Sequence, residues 1–127
     1  MAKKILVVDD EPSIVKILEA RLKAEGYEVV SAMDGLTALE LAKKEKPDLI
    51  ILDLMLPKMD GYKVCGLLKK DTRHSKVPIV LFTARAQESD EKLGFECGAD
   101  AYMRKPFNSQ ELLEQIKALL AKMSSPF

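Results

Sequence analysis

The chain carries no excess of charge of either sign: Lys plus Arg and Asp plus Glu number 20 each. That balance gives no push toward the polyanionic backbone of nucleic acid or toward a membrane surface. Long apolar runs are also missing, and none approaches the roughly 18 residues that a membrane span needs. The start, Met1-Ala2-Lys3-Lys4, is basic like a secretory leader, but the apolar stretch behind it stops at Asp9. That is too short for the hydrophobic region of a signal peptide, so a cytoplasmic location is expected. Cysteine is scarce: Cys65 and Cys97 lie far apart and outside any CxxC pattern. They read as small core hydrophobes in a reducing compartment. The one histidine, His74, sits in the polar stretch Asp71-Thr72-Arg73-His74-Ser75 and reads as an exposed loop residue rather than a base or phosphate carrier.

What is present is ordinary globular material. The 127 residues are 47% hydrophobic and 31% charged, enough for one domain with a real core. Strand-like and helix-like patterns alternate along the whole length. The expected strands are about Lys4–Val8, Glu28–Ser31, Leu49–Leu52, Pro78–Phe82 and Ala101–Arg104. The first, third and fourth are continuously apolar, as in strands covered on both faces of a parallel sheet. The second and fifth are shorter and more mixed, which suits sheet edges. Ile14, Ile17, Leu18 and Leu22 fall on one face of a first helix, with Pro12 in its first turn and Gly26 at its end. Leu112, Ile116, Leu119 and Leu120 form the stripe of a last helix, which Asn108 and Glu111 are spaced to cap. Gly66 falls inside a third helix, at a cost of about 1 kcal/mol relative to alanine. Such alternation gives a single α/β domain with a doubly wound five-stranded parallel sheet. It spans residues 1–123, with 124–127 as a tail or the stub of a linker.

Two of the apolar strands end in acid. Ile5-Leu6-Val7-Val8 runs into Asp9-Asp10-Glu11, and Leu49-Ile50-Ile51-Leu52 runs into Asp53. A carboxylate after a buried strand is tolerable only at the strand's open end. In sheets of this kind the ends beyond the carboxyl termini of the strands are where ligands bind. Three carboxylates gathered there either share protons or bind a hard divalent cation through oxygen. Thr83 and Lys105 stand at the ends of the fourth and fifth strands and would add a hydroxyl and an ammonium. Together these groups describe a centre for phosphoryl transfer, in which aspartate is a known acceptor.

The segments Ile5–Glu11, Leu52–Pro57, Met59-Asp60-Gly61, Phe82-Thr83-Ala84 and Gly98-Ala99-Asp100, with Tyr102 and Lys105-Pro106-Phe107, resemble in order and spacing the receiver domains of two-component response regulators, of the chemotaxis-regulator-like type. The resemblance implies a (βα)5 flavodoxin-like fold with strand order 2-1-3-4-5. It also implies that Asp53 is the phosphoacceptor, that Asp9, Asp10, Asp53 and the Met55 carbonyl hold Mg2+, and that Thr83 and Lys105 contact phosphoryl oxygens. Ala84 would leave room for the phosphate, Pro106 would set its loop, and Thr83 with Tyr102 would form the switch. Each has a plainer alternative: Thr83 as a helix cap, Tyr102 as core packing, Lys105 as a surface lysine. Glu11 is expected to be solvated rather than a ligand.

The expected function is a phosphorylation-dependent signalling switch, not a conventional turnover enzyme. It would be charged by a sensor histidine kinase or phosphotransfer protein and act on a downstream protein target or output domain. The alternative is a phosphorylation-independent protein-binding module of the same fold. An aspartate-nucleophile phosphatase would place a second Asp where Met55 stands, and a flavodoxin-like carrier would need a phosphate loop where Asp9-Asp10-Glu11-Pro12 stands. The expected assembly is a monomer or a phosphorylation-dependent dimer. Neither a membrane nor direct nucleic-acid binding by this domain is expected. Ala99–Tyr102 and Gln115 lack part of the acidic and arginine pattern of dimerising DNA-binding regulators, which leans toward a stand-alone or non-DNA output.

Overall fold

The computed structural model describes residues 2–71, 76–83, 98–104 and 108–124. In chain order they form β1 (Lys4–Val8), α1 (Pro12–Ala24), β2 (Glu28–Ala32), α2 (Gly35–Glu45), β3 (Leu49–Asp53), α3 (Gly61–Lys70), β4 (Ile79–Thr83), β5 (Ala101–Arg104) and α4 (Ser109–Ser124). A helix between β4 and β5, expected from the alternation, falls on residues 84–97, outside the described residues, as do His74 and Cys97.

The five strands make one parallel sheet in the order β2-β1-β3-β4-β5. β1, β3 and β4 are interior and β2 and β5 are the edges, as their compositions require. Successive side chains in a strand point to opposite faces, so each interior strand feeds two cores. Leu6, Val8, Ile50, Leu52, Ile79 and Leu81 pack with Ala38 and Ala42 of α2 and Val64, Cys65 and Leu68 of α3. Ile5, Val7, Leu49, Ile51, Val80 and Phe82 pack with Val15, Leu18 and Leu22 of α1 and Leu112, Ile116 and Leu120 of α4. Each fully buried Leu, Ile or Val in these layers contributes about 1.5–3 kcal/mol of transfer free energy. Cys65 is fully buried and serves as core packing, as its surroundings in sequence suggest.

One helix face turns out rotated. Val15, Leu18 and Leu22 are the buried stripe of α1, while Ile17 is 50% exposed. A helix advances about 100° per residue, so Val15, Leu18 and Leu22 share a face and Ile17 falls on its flank. Both stripes are plausible in sequence, and the sheet chooses between them. The end of α1 is as expected: Gly26 has φ +90°, its N–H reaches Lys23 O at 3.0 Å, and the Tyr27 N–H reaches Leu22 O at 3.1 Å. That is the six-to-one and five-to-two pattern of a left-handed helix terminator, which glycine adopts without strain. Asn108 Oδ1 accepts the Gln110 and Glu111 N–H groups at 2.9 and 3.2 Å and so caps α4.

Candidate functional site

The register of the sheet brings two acids together. β1 pairs with β3 through Ile5↔Leu49 to Val8↔Leu52, so the residue after Val8 lies beside the residue after Leu52. Those residues are Asp9 and Asp53. They are the buried charged side chains among the described residues, 0% and 3% exposed. Asp10 is exposed at the mouth, and a carboxylate oxygen from each of Asp9, Asp10 and Asp53 lies within 4.8 Å of the other two. Since β1 leads outward to β2 and the chain returns to β3 on the other side, this is the topological switch point of the sheet.

Local hydrogen bonds hold the two buried acids in place. Asp9 Oδ1 accepts the Glu11 N–H at 2.9 Å, at the N-terminus of α1, where the helix dipole favours negative charge. Asp53 Oδ1 accepts the Met55 N–H at 3.2 Å. The Met55 side chain is 53% exposed, so this residue meets the acid through its backbone. Glu11 is exposed and stands outside the acid cluster. Two buried carboxylates and one open one, all hard oxygen donors, fit a cation such as Mg2+, which binds few carboxylates and keeps other oxygens around it.

The loop from Leu54 to Asp60 follows Asp53 and is tied to the starts of α2 and α3, where the Gly35 N–H reaches Pro57 O at 3.3 Å and the Gly61 N–H reaches Leu54 O at 3.0 Å. Asp34 and Asp60 are the N-caps of these helices and accept the Thr37 and Lys63 N–H groups at 2.8 and 2.9 Å. The Thr37 backbone N–H holds the Asp34 carboxyl below its usual range, helped by the Thr37 hydroxyl and the Lys58 ammonium and opposed by partial burial. The sequence reading passed over Asp34 and Gly35. Their signal was available, because Asp-Gly stands before α2 as it does before α3.

The other expected site residues divide. Thr83 is the last residue of β4, in register with Arg104, while its neighbour Phe82 pairs with Asp53. Its backbone therefore lies at the same sheet edge as the acids, and its side chain is outside the description. Tyr102 of β5 is half-buried, pairs with Leu81, and packs against the core on the α2–α3 side. Ala84, Lys105 and Pro106 lie outside the described residues.

An open parallel sheet with an acid cup at its switch point is the arrangement in which doubly wound α/β domains bind their ligands. The chain belongs to the response regulator receiver domain family, whose model matches residues 5–117. Receiver domains are two-component signalling switches, for which phosphorylation and magnesium are characteristic. The chain is 52% identical over 124 residues to the alkaline phosphatase synthesis transcriptional regulatory protein PhoP of Bacillus subtilis (strain 168), covering 96% of this chain and 50% of that protein. It is 44% identical over 119 residues to the DNA-binding dual master transcriptional regulator RpaA of Synechocystis sp., covering 94% and 49%. The chain thus spans about half the length of the curated relatives it matches. Among solved structures, a CheY-like response regulator receiver domain protein from Methanospirillum hungatei superposes with a TM-score of 0.90 at 32% identity, covering 96% of both chains. The receiver domain of sensor histidine kinase PA1611 from Pseudomonas aeruginosa, which holds a magnesium ion in its active-site cleft, superposes at 0.88 with 30% identity, covering 95% of this chain and 99% of that one.

These relatives correct one expectation. The expectation of no direct nucleic-acid binding, and the lean toward a stand-alone or non-DNA output, do not stand beside relatives that regulate transcription, one of them by name DNA-binding. The error has a physical origin. A balanced charge over 127 residues reports only on the surface those residues form. Among the described residues, no helix is long and apolar enough to cross a membrane.

Proposed function

We propose that this domain is a Mg2+-dependent phosphoryl switch with Asp53 as acceptor. The carrying observation is the buried Asp53 carboxylate grouped within 4.8 Å of Asp9 and Asp10 at the switch point. Asp10, Asp53 and the Met55 carbonyl would hold the cation, with Asp9 completing the negative cup. When bound, it would supply neutralisation of the charge that gathers at the acceptor. An Asp53 carboxylate oxygen attacks the phosphorus of a phosphohistidine on a sensor kinase. The new O–P bond forms as the N–P bond breaks, and the donor imidazole takes the electron pair.

Thr83 donates its hydroxyl to one phosphoryl oxygen and Lys105 its ammonium to another, while Ala84 leaves space and Pro106 shapes the loop behind Lys105. Movement of Thr83 toward the phosphoryl group lets Tyr102 follow, so a local charge event biases a two-state element of the surface. The domain promotes its own phosphorylation and dephosphorylation and is a switch rather than a turnover enzyme. Its output is transcription control, as the names of PhoP and RpaA support, through DNA binding, as the name of RpaA supports. Its setting is the cytoplasm.

Incubation with acetyl phosphate, with and without Mg2+, followed by intact-mass measurement tests the acceptor. Uptake that needs Mg2+ and disappears in Asp53→Asn supports the reading. Equal uptake by that variant assigns the acceptor elsewhere.

A further inference from the structure

The loop behind Asp53 is pressed between two helix starts, and in each the first residue is glycine. Gly61 opens α3 and donates its N–H to Leu54 O at 3.0 Å, and a Cβ there would run into the Asp53 carbonyl. Gly35 opens α2 and donates its N–H to Pro57 O at 3.3 Å. A Cβ on Gly35 would strike the Met59 carbonyl oxygen and come within 2.7 Å of Met59 Cβ. Neither glycine is in the left-handed region, so what these positions demand is space. Between them Lys58 is held at φ +69°, and its ammonium lies 3.7 Å from Asp34 Oδ2, on the residue before Gly35. Met59 N–H turns back to Pro57 O at 2.8 Å. The N-terminus of α2, which contributes nothing to the acid cluster, is therefore the wall on which the loop is seated.

We infer that Gly35 is a positioning residue for the acid site: its missing side chain lets the loop seat on α2, and that seating sets where Met55 holds Asp53. The inference rests on reading Asp53 as a Mg2+-assisted acceptor. A methyl group at position 35 meets backbone, not the yielding tip of a side chain. The loop has to retreat, and the residue it carries next to Asp53 is Met55, whose N–H lies 3.2 Å from Asp53 Oδ1. A shift of the loop moves that N–H, and with it the carboxylate's orientation toward Asp9 and Asp10. Gly35 touches none of the acids and acts only through the loop. The left-handed Lys58 is the joint at which the loop can give way.

The test uses Gly35→Ala, Lys58→Gly and the double variant beside the wild type. Three quantities are measured on each: Mg2+ affinity by calorimetric titration, the initial rate of phosphoryl uptake from acetyl phosphate at saturating Mg2+, and Tm. Gly35→Ala is expected to weaken Mg2+ binding about tenfold, the scale seen when residues behind a metal's ligands are changed. It is also expected to slow uptake and lower Tm. In the double variant, glycine at position 58 tolerates the displaced loop, so Tm recovers while the Mg2+ affinity stays weak. Unchanged Mg2+ affinity in Gly35→Ala, or recovery of affinity together with Tm, overturns the inference and leaves Gly35 as a packing residue alone. If Gly35→Ala does not fold, the double variant compared with Lys58→Gly carries the same decision. A wild type that neither binds Mg2+ nor takes up phosphate overturns the functional reading instead, so the two failures are distinct.

Discussion

Asp100 Oδ2 lies 2.8 Å from the Lys69 ammonium and, with the same oxygen, accepts the Ile79 N–H at 2.8 Å. The Lys69 ammonium also donates to Val77 O at 2.8 Å. One ion pair thus ties the end of α3 to the start of β4 and to the residue before β5, at the sheet edge opposite the acids. The Lys69 side chain is only 15% exposed, so it is not an ordinary surface lysine.

Asp100→Ala is expected to destabilise the domain, because the Ile79 N–H loses its side-chain acceptor and the Lys69 ammonium loses one of its acceptors. The expected loss is about 2 kcal/mol, within the range for charge-assisted bonds and stranded donors. Asp100→Asn, which still presents an oxygen to Ile79, is expected to cost less. Urea denaturation of the three proteins checks the order.

Mg2+ should raise stability by mass action. At a hundred times its dissociation constant a ligand that binds only the folded state adds about 2.7 kcal/mol. Asp10→Ala and Asp53→Asn are expected to lose most of that gain. In the absence of divalent cations, Asp53→Asn should be more stable than the wild type, because a buried negative charge has been removed from beside Asp9. Thermal melts with EDTA and with Mg2+ give both comparisons.

Gly66→Ala is expected to stabilise. Nothing lies within 4 Å of where its Cβ would sit, and Gly61–Lys70 is helical through that position. The gain should approach the propensity difference of about 1 kcal/mol. Chemical denaturation measures it, and a loss of stability would mean that this helix position is occupied by something other than solvent.

The Asp34 cap gives a pH dependence whose sign is fixed. Its carboxyl is held below the ordinary value in the folded protein, chiefly by the Thr37 backbone N–H. The folded state therefore binds that proton less readily than the unfolded state does. The stabilisation is complete above the ordinary aspartate value and is lost as pH falls through the lowered one. Asp34→Asn keeps an oxygen at the cap without the charge. The wild-type advantage over that variant should be present at neutral pH and shrink across the acid range, as denaturation at a series of pH values would show.

Local pattern was enough for much of the architecture. Unbroken apolar runs at Ile5–Val8 and Leu49–Leu52 marked strands covered on both faces, and the acids behind them marked the open end of the sheet. Glu28–Ser31 and Ala101–Arg104 read as edges because their side chains are mixed, and the strands there are the edges. Ile17 and Val15 were not separable, because a helix with apolar residues on neighbouring faces does not say which face the sheet will take. Lys69 and Asp100, 31 residues apart, carry no local mark of their pairing.

By itself, then, the amino-acid order determined the strands, the helix caps and terminators, and the identity of the acids, since each depends on neighbours a few positions away. Only the tertiary structure decided that Val8 stands opposite Leu52, and so that Asp9 meets Asp53, and that the Met59 backbone leaves Gly35 no room for a side chain. Those outcomes belong to contacts between distant segments, where register and close packing, not local preference, select one arrangement from several that the pattern allows.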